Sequence, residues 1–66
     1  MISVTRLNGS EIVVNADLIE TVEATPDTVI TLVDGKKYVV HESTEEVVER
    51  LWLQYEEYQK ANGLLD

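Results

Sequence analysis

The hydrophobic period of this chain changes once, from two to about 3.6, and the change falls at Ser43. Before Ser43, short β-branched runs alternate apolar and polar residues. After it, Val47, Val48, Leu51, Trp52, Tyr55 and Tyr58 recur at the i, i+3, i+4 spacing of an amphipathic helix. Strands followed by one helix make an α+β chain. The expected architecture is a small antiparallel sheet of about five strands, meander or barrel-like, followed by one C-terminal α-helix. The expected organisation is a single domain over 1–66, with the sheet in 1–42 and the helix in 43–62.

Turn signals divide the first part. Ile2 to Leu7 reads as a strand closed by Asn8-Gly9, which points to a type I′ hairpin with φ > 0 at both central residues. Glu11 to Val14 is the return strand. Asn15-Ala16-Asp17 breaks the pattern with side chains that bond their own backbone. Ile19 to Thr25 forms a third strand, with Ile19, Thr21 and Glu23 on one side and Glu20, Val22 and Ala24 on the other. Pro26-Asp27 turns the chain into Thr28 to Val33, apolar on both faces and therefore central. Asp34-Gly35 is a second hairpin signal before the fifth strand, Lys36 to Val40.

Ser43 and Glu46 match the capping box that opens a helix, and Glu45 and Glu46 favour its positive end. Asn62-Gly63 supplies a stop, with Leu64-Leu65-Asp66 as a frayed tail. A helix from Thr44 to Ala61 spans about 27 Å, against about 17 Å for a five-residue strand. Its last turns are expected to project beyond the sheet.

Composition narrows the functions. Thirteen acidic residues against five basic ones give a net charge of −8, which disfavours a nucleic-acid backbone or an anionic membrane as the main partner. No cysteine is present, so disulfides and thiolate metal sites are excluded. No apolar run approaches a membrane span, and membrane insertion is not expected. The expected location is cytoplasmic. A core of this size barely offsets chain entropy, and burying the projecting stripe at about 25 cal/mol per Å² favours a homo-oligomer.

The candidate chemistry is sparse. His41 is the single histidine, and a His at a strand end serves as a hydrogen-bonder more often than as a base or ligand. Glu42, Glu45, Glu46, Glu49, Glu56 and Glu57 lack the alternating spacing of a calcium loop and read as a solvated face, with Glu46–Arg50 and Glu56–Lys60 as i, i+4 pairs. Lys36, Lys37 and Arg6 read as solubilising or edge-protecting cations. No nucleophile motif or phosphate loop occurs, so no catalytic, cofactor or metal residue is assigned and no enzyme is expected. Trp52, on the apolar stripe, is expected to fill core, and Leu53 lies off the stripe. Trp52, Leu53, Tyr55 and Tyr58 together form the candidate protein-interaction surface.

The run Val4-Thr5-Arg6-Leu7-Asn8-Gly9, followed by Asn15-Ala16-Asp17-Leu18-Ile19-Glu20, Val22 to Thr28, Ile30-Thr31-Leu32, Gly35 to Val40 and Glu42-Ser43, resembles the FlbD/SwrD family of small flagellar and swarming-motility proteins. The likeness covers nearly all of residues 1–50 and fades from Arg50 onward. It implies a cytoplasmic, non-enzymatic protein that supports flagellar motor power by protein–protein interaction, with stator components as candidate partners. It carries over no catalytic or ligand residues. Val39-Val40-His41-Glu42 is also similar to a motif of the carbon-storage-regulator family of RNA-binding proteins, which implies an alternative role as a small RNA-binding regulator. The arginine that this family uses on RNA is replaced by Glu42-Ser43, and the net charge has the opposite sign.

Overall fold

A computed structural model describes residues 1–24 and 26–61. Thr25 of the third expected strand, the Asn62-Gly63 stop and the Leu64-Leu65-Asp66 tail lie outside the described residues. Five antiparallel strands and a C-terminal helix follow in chain order: β1 (Ile2–Thr5), β2 (Glu11–Val14), β3 (Ile19–Ala24), β4 (Thr28–Leu32), β5 (Lys37–Val40) and α1 (Thr44–Ala61). A 3-10 turn, Ala16–Leu18, joins β2 to β3, and the Asn15 carboxamide caps it by accepting from the Asp17 amide. The α+β class is as expected. The strands form two sheets, one of β1 and β2 and one ordered β3-β4-β5. They meet where Arg6 bridges Val40 and the His41 amide donates to the Thr5 carbonyl at 2.8 Å.

The hairpins at Asn8-Gly9 and Asp34-Gly35 form, but the type I′ geometry does not. Only Gly9 (φ 91°) and Gly35 (φ 92°) have positive φ among the described residues. In each loop the glycine amide closes a four-residue turn, Gly9 onto the Arg6 carbonyl and Gly35 onto the Leu32 carbonyl, both at 2.9 Å. The residue opening each turn then donates across to the one after the glycine, Arg6 to Ser10 and Leu32 to Lys36. This is the three-residue loop with a left-handed glycine bulge. The Asn8 and Asp34 side chains serve it alike, accepting from the amides of Ser10 and Lys36.

A second difference lies in β3. Ile19 pairs with Leu32 and Thr21 with Thr31, so Glu20 is skipped as a bulge. An extra residue reverses the alternation, and Ile19 and Val22, expected on opposite faces, both pack against the core. Strand β4 is central as expected, with Thr28, Ile30 and Leu32 buried. Lys37 lies on the outer strand of its sheet, where a cation discourages further pairing.

The core comprises Ile2, Val4, Val14, Ile30, Leu32, Val40 and Val47, so the inner faces of both sheets and one helical valine share a single cluster. The capping box forms as read: the Glu46 amide donates to Ser43 Oγ, and the Ser43 amide to Glu46 Oε1, each at 3.1 Å. The molecule measures 40 × 22 × 19 Å.

Replacing Gly35 by Ala is expected to cost about 1–2 kcal/mol, because the left-handed backbone penalises a Cβ. Apart from Gly35 itself and its chain neighbours, no atom lies within 4 Å of the added carbon, so the penalty is conformational and Gly35→Asn should recover part of it. Chemical denaturation of the two variants checks this. Equal stability of Gly35→Ala and the parent chain would contradict the bulge geometry.

Candidate functional site

The joint between β5 and α1 fixes what the helix presents. Glu42 is 8% exposed, although the spacing of the acidic residues had placed it on a solvated face. Its carboxylate accepts from the Thr5 amide and the Thr5 hydroxyl, both at 2.9 Å, and from Arg50 Nη1 at 3.1 Å. Arg50 Nη1 also donates to the Ser3 carbonyl at 2.6 Å. Arg50 therefore reaches back over β1 instead of pairing with Glu46. Among the described residues, Arg50–Glu42 is the ion pair that forms, and Glu56–Lys60 is not one.

Withdrawal from water pushes the Glu42 pKa up. The hydrogen bonds from the Thr5 amide, its own amide, the Thr5 hydroxyl and Arg50 outweigh this and hold it at about 2, below the ordinary 4.5. Local spacing could not reveal this residue, because Thr5 lies 37 positions away and Arg50 lies eight positions away, beyond the i, i+4 reach.

His41 is a structural hydrogen-bonder, as expected. Its Nε2 lies 3.0 Å from the Leu7 carbonyl, which can only accept, so Nε2 carries the proton. Among the described residues no group of three His, Cys, Asp or Glu side chains could hold a metal ion. No described helix is long and apolar enough to cross a membrane.

With Arg50 tied to Ser3 and Glu42, one edge of α1 is pinned to β1, and its rotation about its own axis follows. Val47 is buried and Leu51, four residues on, packs against the core. The rest of the apolar stripe is left outside. Trp52, expected in the core, is 62% exposed, beside Val48 at 55% and Tyr55 at 52%. The stripe is wider than the contact two small sheets can offer, so Val47–Leu51 takes the inner position and Val48–Trp52–Tyr55 the outer one. The Trp52 and Tyr55 rings stack, with centroids 5.6 Å apart and planes inclined by 21°.

The four candidate interaction residues thus separate. Trp52 and Tyr55 stand together. Tyr55 and Tyr58 line a groove with Met1 and the Asn15–Asp17 segment. Leu53, also exposed, lines a different groove with Met1, Ser3, Glu11 and Glu57. Val48 was read only as part of the stripe, yet it shares an apolar hollow with Trp52, Thr44, Glu45 and Glu49. Glu45 accepts from the Thr44 hydroxyl at 2.8 Å, which lowers its pKa.

A family model described as flagellar and swarming motility proteins, FlbD, matches residues 1–58. The match runs past Arg50, where the likeness was expected to fade, and includes Trp52, Leu53, Tyr55 and Tyr58. No curated protein and no solved structure matches the chain.

A carboxylate whose folded pKa lies below its unfolded value stabilises the fold above the unfolded value and ceases to as pH falls through the folded one. Stability is therefore expected to decline between about pH 5 and pH 2 as Glu42 takes up its proton. Glu42→Gln should cost about 1–3 kcal/mol at neutral pH and flatten that decline. Urea titrations across this range check both, and an unchanged pH profile in the variant would contradict the assignment.

Proposed function

The chain belongs to the FlbD family of flagellar and swarming motility proteins, and from that membership we propose that it acts in the cytoplasm without catalysis, as a protein-binding subunit supporting flagellar motor power, with stator components as its partners. The observation that carries this reading is the outward Trp52–Tyr55 stack on α1. Large aromatic side chains in water are costly to leave uncovered, and they are the residues that protein interfaces favour. Their position follows from the ties of Glu42 to Thr5 and of Arg50 to Glu42 and Ser3. The groups that would serve catalysis have structural duties: His41 Nε2 holds the Leu7 carbonyl, and Glu42 is engaged by Thr5 and Arg50.

The test is complementation of a deletion strain. The parent chain should restore swarming, whereas Trp52→Ala/Tyr55→Ala, produced at equal level and with an unchanged circular dichroism spectrum, should not. Stator proteins should co-purify with the parent chain and be lost with the variant. Full restoration of motility by the variant would overturn this reading. A salt-sensitive gel shift with RNA would transfer support to the carbon-storage-regulator-like alternative.

A further inference from the structure

The outer face of α1 has a chemistry that selects among occupants. Val48, Trp52 and Tyr55 follow each other at i, i+4, i+7 and make an exposed apolar strip. Glu45, Glu49 and Glu56, at i, i+4, i+11, run alongside it on the adjacent helical meridian. The hollow between Val48 and Trp52 is bounded by Glu45 and Glu49, so the acidic flank borders the apolar floor. Neither Glu45, Glu49 nor Glu56 is in an ion pair among the described residues. Of the five basic side chains, Arg50 is engaged on Glu42 and Ser3, Arg6 lies over the Tyr38 ring, and Lys36 and Lys37 sit at the β4–β5 turn. Lys60 follows Glu56 by four positions in the last turn of α1, and no ion pair joins the two among the described residues.

We propose that the Val48–Trp52–Tyr55 face receives a basic amphipathic protein segment, one that lays apolar side chains on the strip and Lys or Arg side chains along Glu45, Glu49 and Glu56. This rests on the protein-binding reading above and names the chemistry of the partner. A second copy of the chain fits poorly in antiparallel two-fold pairing through this face, which would set the acidic flanks of both copies side by side in a protein already at −8. Anionic lipid and nucleic acid meet the same repulsion. A cationic segment meets none of it. Its apolar side chains displace water from the strip, its charges neutralise the flank, and a guanidinium or ammonium can also lie over the indole face.

Trp52 is the single tryptophan of the chain and so reports on its own face. The full chain is titrated with a Trp-free amphipathic helical peptide of leucine and lysine, and with a twin in which glutamate replaces lysine. The lysine peptide should shift Trp52 emission to shorter wavelength and bind with an affinity that falls as salt rises, while the glutamate twin should not bind. By calorimetry, Trp52→Ala and Glu45→Lys/Glu49→Lys should each weaken binding about tenfold or more. Glu11→Lys/Glu23→Lys, the same charge change made on exposed strand positions, should leave it within about twofold.

Equal binding of the two peptides, or equal weakening by both pairs of charge reversals, would overturn the proposal. So would light scattering that shows a dimer dissociated by Trp52→Ala, which would give the face to a second copy. Failures of the two readings separate. Motility that survives Trp52→Ala/Tyr55→Ala while the parent chain binds the lysine peptide removes the motility role and keeps the surface chemistry. Motility lost in the variant while the parent chain binds neither peptide keeps the role and removes the basic partner.

Discussion

One buried carboxylate holds the arrangement together. Glu42 lies between the end of β5 and the cap of α1, and its oxygens are taken by Thr5 of β1 and Arg50 of α1. Segments distant in sequence are thereby tied in a chain that has no cysteine to form a disulfide. Burying a carboxylate is costly unless its hydrogen bonds are met, and here amide, hydroxyl and guanidinium groups meet them. Two sheets of two and three strands have little shared backbone pairing beyond Arg6–Val40. The carboxylate supplies what the missing ladder does not.

From that tie follows the orientation of the helix. Arg50 reaches both Glu42 and the Ser3 carbonyl, which fixes the edge of α1 that lies over β1. Val47 then completes the core and Leu51 packs beside it, while Val48, Trp52 and Tyr55 turn to water. The link from structure to function runs through this rotation. An aromatic pair exposed on a rigid, capped helix is a surface that a partner can cover without the protein first rearranging.

Most of the element order was legible because it rests on local chemistry. Asn8-Gly9, Asp34-Gly35, Asn15 and the Ser43–Glu46 box act within a few residues, and each stands where its chemistry directs. What local rules left ambiguous was resolved by context. The Asn-Gly hairpin took the bulged three-residue loop instead of the type I′ turn, with only the glycine at positive φ. The bulge at Glu20 carries no signal in the alternating run, yet it decides which face Ile19 and Val22 share. The burial of Glu42 depends on contacts across 37 residues, and no spacing rule reaches that far. Trp52 was misplaced for a related reason: a stripe of six apolar residues shows that one face is covered, but not which part. The ties from Arg50 to Ser3 and Glu42 and from the Met1 amine to Gln54 Oε1, with Val47 in the core, decide that.

The orientation of α1 is tested most directly by the accessibility of its indole. Acrylamide quenching of Trp52 fluorescence in the purified chain, measured across a dilution series, should approach that of a free tryptophan derivative at every concentration. A protected indole with emission at short wavelength, persisting at the lowest concentration, would mean that Trp52 is folded onto its own strands and would contradict the outward face.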